Sequence, residues 1–88
     1  MNIDPKKSFF RDIKKINSPL LKEEIERIIE AVIAAQNINY IPRLRKLKGY
    51  QIHYRIRVGN CRIGVSIEND LVTFERFAHR KDFYKIFP

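Results

Sequence analysis

From Tyr50 onward, apolar residues recur at every second position, and no other feature restricts the fold of this chain so tightly. Ile52, Tyr54, Ile56 and Val58 alternate with Gln51, His53, Arg55 and Arg57. That period suits a β-strand with one dry face and one wet face. Gly59-Asn60 is a two-residue turn signal. A second strand follows, with Ile63, Val65 and Ile67 on one face and Arg62, Gly64, Ser66 and Glu68 on the other. Asn69-Asp70 makes the next turn and Leu71 to Ala78 a third strand. The prediction is a β-meander over about residues 49–78. A one-residue slip would drive Ile52, Ile56, Ile63 and Val65 into water, so the register is well specified.

The first half has a different period. Phe9, Phe10, Ile13 and Ile16 recur at helical spacing after Ser8, which predicts a short amphipathic helix ending near Asn17. Ser18-Pro19 is an N-cap followed by proline at the first helical position. Leu21, Ile25, Ile28, Ile29, Val32 and Ile33 then form an apolar stripe, and Lys22, Glu23, Glu24, Glu26 and Arg27 occupy the other face. The expected architecture is α+β: an N-terminal helical hairpin over about residues 6–36, packed on a small antiparallel sheet, with a C-terminal segment at 79–88. With 88 residues the chain has room for one core and is expected to be one domain.

Composition excludes several classes. Apolar residues make up 44%, which argues against disorder despite 32% charged residues. Cys61 is the only cysteine, so there is no intramolecular disulfide and no zinc site built on thiolates. With two histidines far from it in sequence, no metal or other cofactor is expected. The Met-Asn-Ile-Asp-Pro start lacks the apolar run of a secretion signal. The most apolar stretch, Ile25 to Ala35, is broken by Glu26, Arg27 and Glu30 and does not span a bilayer. A reducing cytoplasm is the expected compartment. Eighteen Lys and Arg against ten Asp and Glu give a net charge of +8, which favours polyanionic partners without choosing one.

The register locates that charge. A tight turn at Gly59-Asn60 sets Arg57 opposite Arg62 and Arg55 opposite Gly64. A tight turn at Asn69-Asp70 sets Glu75 beside Gly64 and Phe77 beside Arg62. One row of the wet face is then Arg57, Arg62 and Phe77; the next is Arg55, Gly64 and Glu75, with a depression at the glycine. Directly opposed side chains approach to roughly 5 Å, and like charges there repel by about 1 kcal/mol in water and several-fold more near a low-dielectric surface. Phosphate oxygens turn that repulsion into charge-assisted, often bidentate hydrogen bonds. Phe77 offers a flat surface for a base, so the expected ligand is RNA. The plainer alternative is that these arginines extend independently into water. Beyond the third strand, His79, Arg80, Lys81 and Tyr84 add anion-binding and proton-transferring groups. Histidine is the residue type that titrates near neutrality. Tyr84 either exchanges a proton with a ligand or simply packs the chain end onto the sheet.

Three strings, Leu47-Lys48-Gly49, Tyr54 to Ile63 and His79 to Tyr84, together with the preceding helices, resemble the RelE/ParE superfamily of bacterial and archaeal toxins over nearly the whole chain. The resemblance implies a type II toxin–antitoxin system. In the RelE branch it implies a metal-independent endoribonuclease that cleaves mRNA on the ribosome and so inhibits translation. The ribose 2′-OH attacks the neighbouring phosphate there. Carried onto this sequence, Arg55 and Arg57 match the two basic residues of the strand after Leu-Lys-Gly. Arg62 matches an arginine that stabilises the transition state, Arg80 one that assists the leaving oxygen, and Tyr84 the C-terminal tyrosine. The first pair is lysine in the best-known members; arginine cannot serve as a general base, which leaves Tyr84 or His79 for that role. Only Met1 to Asp4 precede the first helix, so the N-terminal strand usual in the family is expected to be short or missing. Both toxin branches imply a neutralising, acidic antitoxin in a hetero-oligomer, covering the arginine face or displacing Phe83-Tyr84. The competing functions are a ParE-like inhibitor of DNA gyrase and a non-catalytic RNA-binding relative.

Overall fold

A computed structural model describes residues 1–88. Strand β1 (Asn2–Pro5) leads into helices α1 (Lys7–Ile13) and α2 (Pro19–Ala34), and a 3-10 turn at Ile38–Tyr40 precedes β2 (Leu44–Lys46). Strands β3 (His53–Val58), β4 (Cys61–Glu68) and β5 (Leu71–His79) follow, and helix α3 (Arg80–Ile86) comes last. The α+β class is as expected. One sheet runs in the order β1-β5-β4-β3-β2.

Two features of the expected architecture need correction. The sheet is mixed: β2 to β5 are antiparallel, but β1 runs parallel to β5, Asn2 beside Leu71 and Pro5 beside Phe74. These strands come from opposite ends of the chain, so no tight turn dictates their direction. The N-terminal strand is short but present, and it occupies an edge that would otherwise expose unpaired backbone groups. The Asn2 N–H donates to the Asp70 carbonyl and the Lys6 N–H to the Phe74 carbonyl, both at 2.9 Å. Nor do the helices form a plain hairpin. α1 packs chiefly on β5, whereas α2 lies over β1 and β3. α1 stops at Ile13, short of Asn17, and only Phe9 of its aromatics is buried, with its ring 5.4 Å from that of Phe74.

α2 starts where its cap dictates. The Ser18 hydroxyl accepts from the Leu21 N–H at 3.2 Å and Pro19 occupies the first turn, an arrangement worth about 1 kcal/mol. Ile25, Ile28 and Val32 enter the core, while Ile33 stays half exposed. They meet Ile56, Val58, Ile63, Val65, Ile67, Val72, Phe74 and Phe77 on one face of the sheet.

β4 and β5 keep the expected register from Glu68/Leu71 to Val65/Phe74, and then slip. A bulge leaves Glu75 without a partner, so that Gly64 pairs with Arg76, Ile63 with Phe77 and Arg62 with Ala78. The extra residue reverses the side chains beyond it. Phe77 therefore turns into the core, 7% exposed, and does not stand beside the arginines as predicted. α1 stabilises the bulge at the edge of β5 that β1 no longer covers. The Ser8 hydroxyl donates to the Glu75 carbonyl at 2.6 Å, and the Asp12 carboxylate accepts from the Phe77 N–H at 3.0 Å. Asp12 also holds Arg76 through two bonds of 2.8 and 3.2 Å.

The second face of the sheet is partly roofed. α3 lays Phe83 and Phe87 over it, and with Leu47 they form a small second core flanked by Ala78. No helix is long and apolar enough to cross a membrane.

Candidate functional site

Four of the residues singled out from sequence, Arg55, Arg57, Arg80 and Tyr84, gather around a fifth, Arg62. It stands directly opposite Arg57 across β3 and β4, with Arg55 opposite Gly64 one row away. Its guanidinium donates to the carbonyls of Gly59 at 3.1 Å and Cys61 at 2.8 Å, which fixes it against the β3–β4 turn. Partial burial lowers its pKa from the usual arginine value; the positive charges of Arg55, Arg57 and Arg80 lower it further, and only Tyr84 opposes them. Arginine nevertheless remains protonated at any working pH. Arg57 and Arg55 stand on the neighbouring strand, Arg80 is tied to the turn that Arg62 bonds to, and Tyr84 shares a cleft with Arg55.

α3 places the last two. Its first turn is anchored by the Arg80 N–H, which donates to the Asn60 carbonyl at 2.8 Å and so joins the helix to the β3–β4 turn. His79 is its N-cap: the imidazole Nδ1 accepts from the Lys81 N–H at 3.2 Å. That bond uses the ring's free lone pair, because a neutral imidazole has one acceptor nitrogen. His79 is thus engaged in holding the helix. Tyr84 lies one turn on and is exposed, its ring edge-on to buried Phe83 at 5.1 Å.

Tyr84 forms one wall of an open cleft of about 470 Å³, opposite Lys46, Lys48 and Arg55, with Leu47, Tyr50 and Phe87 completing it. The predicted meander begins at residue 49 and so omits β2, and with it Lys46. The local signal was a single apolar residue, Leu44, among Arg43, Arg45 and Lys46, a run too short to show a period. The predicted depression at Gly64 is absent: the Phe87 ring fills it so closely that a Cβ on Gly64 would lie 2.7 Å from ring carbons.

The electrostatics of the site are one-sided. The chain has three ion pairs, Arg43–Glu24, Arg76–Asp12 and Lys85–Asp82, and none involves Arg55, Arg57, Arg62 or Arg80. No three His, Cys, Asp or Glu side chains gather as metal ligands would. Uncompensated guanidinium groups gathered around one point can receive an anion, including one whose charge grows during a reaction. A phenol beside them supplies a group that can exchange a proton.

Fold and site together define a small α+β protein with a face of arginines that no carboxylate pairs. No family model matches the chain. Toxin RelE3 of Methanocaldococcus jannaschii is 40% identical over 83 residues, covering 93% of this chain and 93% of that relative. The chain belongs to the RelE toxin family. Among solved structures, the RelB–RelE antitoxin–toxin complex from Methanococcus jannaschii matches with a TM-score of 0.82 and 36% identity, over 97% of this chain and 99% of that chain. YafQ from E. coli matches with a TM-score of 0.73 over 94% of this chain and 97% of that one; at 13% identity it shares the fold alone.

Proposed function

We propose that this protein is the toxin of a type II toxin–antitoxin pair and acts in the cytoplasm as a ribosome-dependent, metal-independent mRNA endonuclease. The supporting observation is the set of Arg55, Arg57, Arg62 and Arg80, none paired with a carboxylate, around a point that Tyr84 also reaches. In this reading a single strand of mRNA lies across the wet face. The 2′-hydroxyl oxygen attacks the adjacent phosphorus, and its proton passes to the Tyr84 phenol oxygen as the exposed phenol gives its own proton to solvent water. Arg62, with Arg55 and Arg57, neutralises the non-bridging oxygens as charge develops on them. The bond from phosphorus to the 5′-oxygen breaks, and Arg80 donates a hydrogen bond to that leaving oxygen as it takes up a proton from water. The products are a 2′,3′-cyclic phosphate and a free 5′-hydroxyl.

Phe77 has no part in this scheme because it is in the core, and His79 serves by capping α3. Lys81 is exposed and remains available to the RNA backbone. The antitoxin is an acidic chain that covers the same arginine face; the RelE of M. jannaschii crystallised in complex with its antitoxin RelB.

A translating extract supplied with tagged mRNA tests the reading. Cleavage ending in 2′,3′-cyclic phosphate, undiminished by EDTA levels that leave ribosomes intact, is expected. Tyr84→Phe and Arg62→Ala are each expected to reduce it by about 10²-fold or more. If mRNA stays intact while gyrase supercoiling is inhibited, the protein is a gyrase poison and this reading is wrong.

A further inference from the structure

The edge strand β2 adds a second group of arginines. Arg45 stands opposite Arg55, Leu44 opposite Ile56, and the Arg57 N–H donates to the Arg43 carbonyl at 3.4 Å. Alternation along β2 directs Leu44 toward the core and Arg45 to the side of Arg55 and Arg57, and Arg43, just before the strand, reaches the same space. These four arginines alone line an open cleft of about 380 Å³. Arg45, Arg55 and Arg57 have no carboxylate partner, and Arg43 has only an exposed contact with Glu24 at 2.9 Å. Ion pairing accounts for Arg43 alone, and neither it nor packing accounts for Arg45, Arg55 and Arg57 gathered with it around an open space.

Arg43 supplies an independent observation. It follows Pro42 with φ +59°, a left-handed conformation in which glycine or asparagine is the easier residue. A turn alone has no need of arginine there; what arginine adds is its guanidinium, which reaches Glu24 and also lines the cleft. Arg55 also lines the cleft that contains Tyr84, so the two clefts share a wall. Adjacent strands lie about 4.8 Å apart, which places β2 roughly 10 Å from β4. A single nucleic-acid strand held at Arg62 reaches that far with the phosphates next along its backbone.

We propose that Arg43 and Arg45, with Arg55 and Arg57 shared between this cleft and the Arg62 site, form a second phosphate-binding site, which takes the backbone of single-stranded RNA next to the phosphate held at Arg62. This inference rests on the ribonuclease reading and adds to it a direction for the strand, from Tyr84 across Arg55 to the β2 edge. An acidic peptide offers the arginines similar charge. RNA is favoured because the shared Arg55 wall makes the cleft continuous with the site that already holds the strand.

Binding is measured by fluorescence anisotropy with a labelled 2′-O-methyl oligoribonucleotide, which cannot be cut, at increasing KCl and without ribosomes. Arg45→Ala is expected to weaken binding by about fivefold or more at low salt and to reduce the slope of log K against log[KCl] by about 0.7 per lost contact. Arg43→Gly is expected to weaken binding likewise while leaving Tm unchanged or higher, since glycine suits that backbone. Wild-type affinity and salt slope in both variants overturn the second site, and so does failure of the wild type to bind the oligonucleotide. Weakened binding of poly-glutamate with RNA binding intact also overturns it, and assigns the cleft to an acidic protein. The cleavage assay is separate, so an enzyme that cuts mRNA but shows no effect of these variants loses the second site alone.

Discussion

The Phe87 ring rests on the backbone of Gly64, in the space where any other residue would place its Cβ, 2.7 Å from the ring carbons. Glycine is required here for close approach: its φ is ordinary, unlike that of Gly59 in the turn. Phe87 closes α3, its N–H donating to the Phe83 carbonyl at 3.0 Å. His53 supports the ring from the side, 5.6 Å between centroids. The contact therefore sets the height of α3 above the sheet, and with it the position of Tyr84 over the arginines.

Gly64→Ala tests that role. The added methyl lifts α3, costing about 1–3 kcal/mol of stability as an overpacked site. A displacement near 1 Å at the reacting groups lowers cleavage by about 10²-fold. Adding Phe87→Leu to the Gly64→Ala variant makes room again and is expected to restore much of the rate. Comparison of cleavage rates in the single and double variants checks this; no recovery in a folded double variant would mean that the contact does not position the site.

Asp12 makes stability acid-sensitive. Burial works to raise its pKa, but the bonds from Arg76 and the Phe77 N–H, with the charges of Arg76 and Arg11, outweigh burial and hold it below 3.8. A carboxylate depressed on folding contributes fully above its unfolded pKa, and the contribution fades as pH falls through the folded value. Asp12→Asn is expected to cost about 2 kcal/mol near neutrality, the worth of a charged hydrogen bond. The gap between wild type and variant should close below about pH 4. Urea titrations of both proteins at pH 7 and at pH 3 measure it.

Phe77 separates the arrangement expected from sequence from the one observed. As a stacking platform its loss would weaken RNA binding and leave stability alone. As a core residue, Phe77→Ala costs about 3–5 kcal/mol and Phe77→Leu much less, with cleavage per folded molecule retained in the latter. Thermal unfolding of the two variants, with activity corrected for folded fraction, distinguishes the cases.

The Phe77 placement shows what the sequence could carry. The β3–β4 pairing was legible because Gly59-Asn60 and strict alternation leave one register, and so Arg55, Arg57 and Arg62 were placed correctly. The bulge at Glu75 was not legible. Its partners Ser8 and Asp12 lie more than 60 positions away, and local alternation says nothing of them. The same distance hid β1, whose parallel pairing with β5 no turn announces. The seat of Phe87 on Gly64 was hidden likewise, since no local pattern links a helix end to a strand glycine. Strand β2 was missed for another reason: three residues are too few to establish a period.

Arg62 is held by two carbonyls on one side and faces Arg57 on the other, and lysine cannot reproduce that arrangement. A guanidinium presents five donors in a fixed plane, so it can stay bonded to Gly59 and Cys61 while others meet phosphate. An ammonium that turns to the phosphate must leave the turn, and its flexible stem loses the preorganisation. Arg62→Lys is therefore expected to retain most RNA affinity, which depends on charge. Its cleavage rate should still fall by about tenfold or more, because the transition state requires a donor already in place. Anisotropy with the uncleavable oligonucleotide and a single-turnover cleavage assay separate the two quantities. An equal loss in both would show that Arg62 only binds.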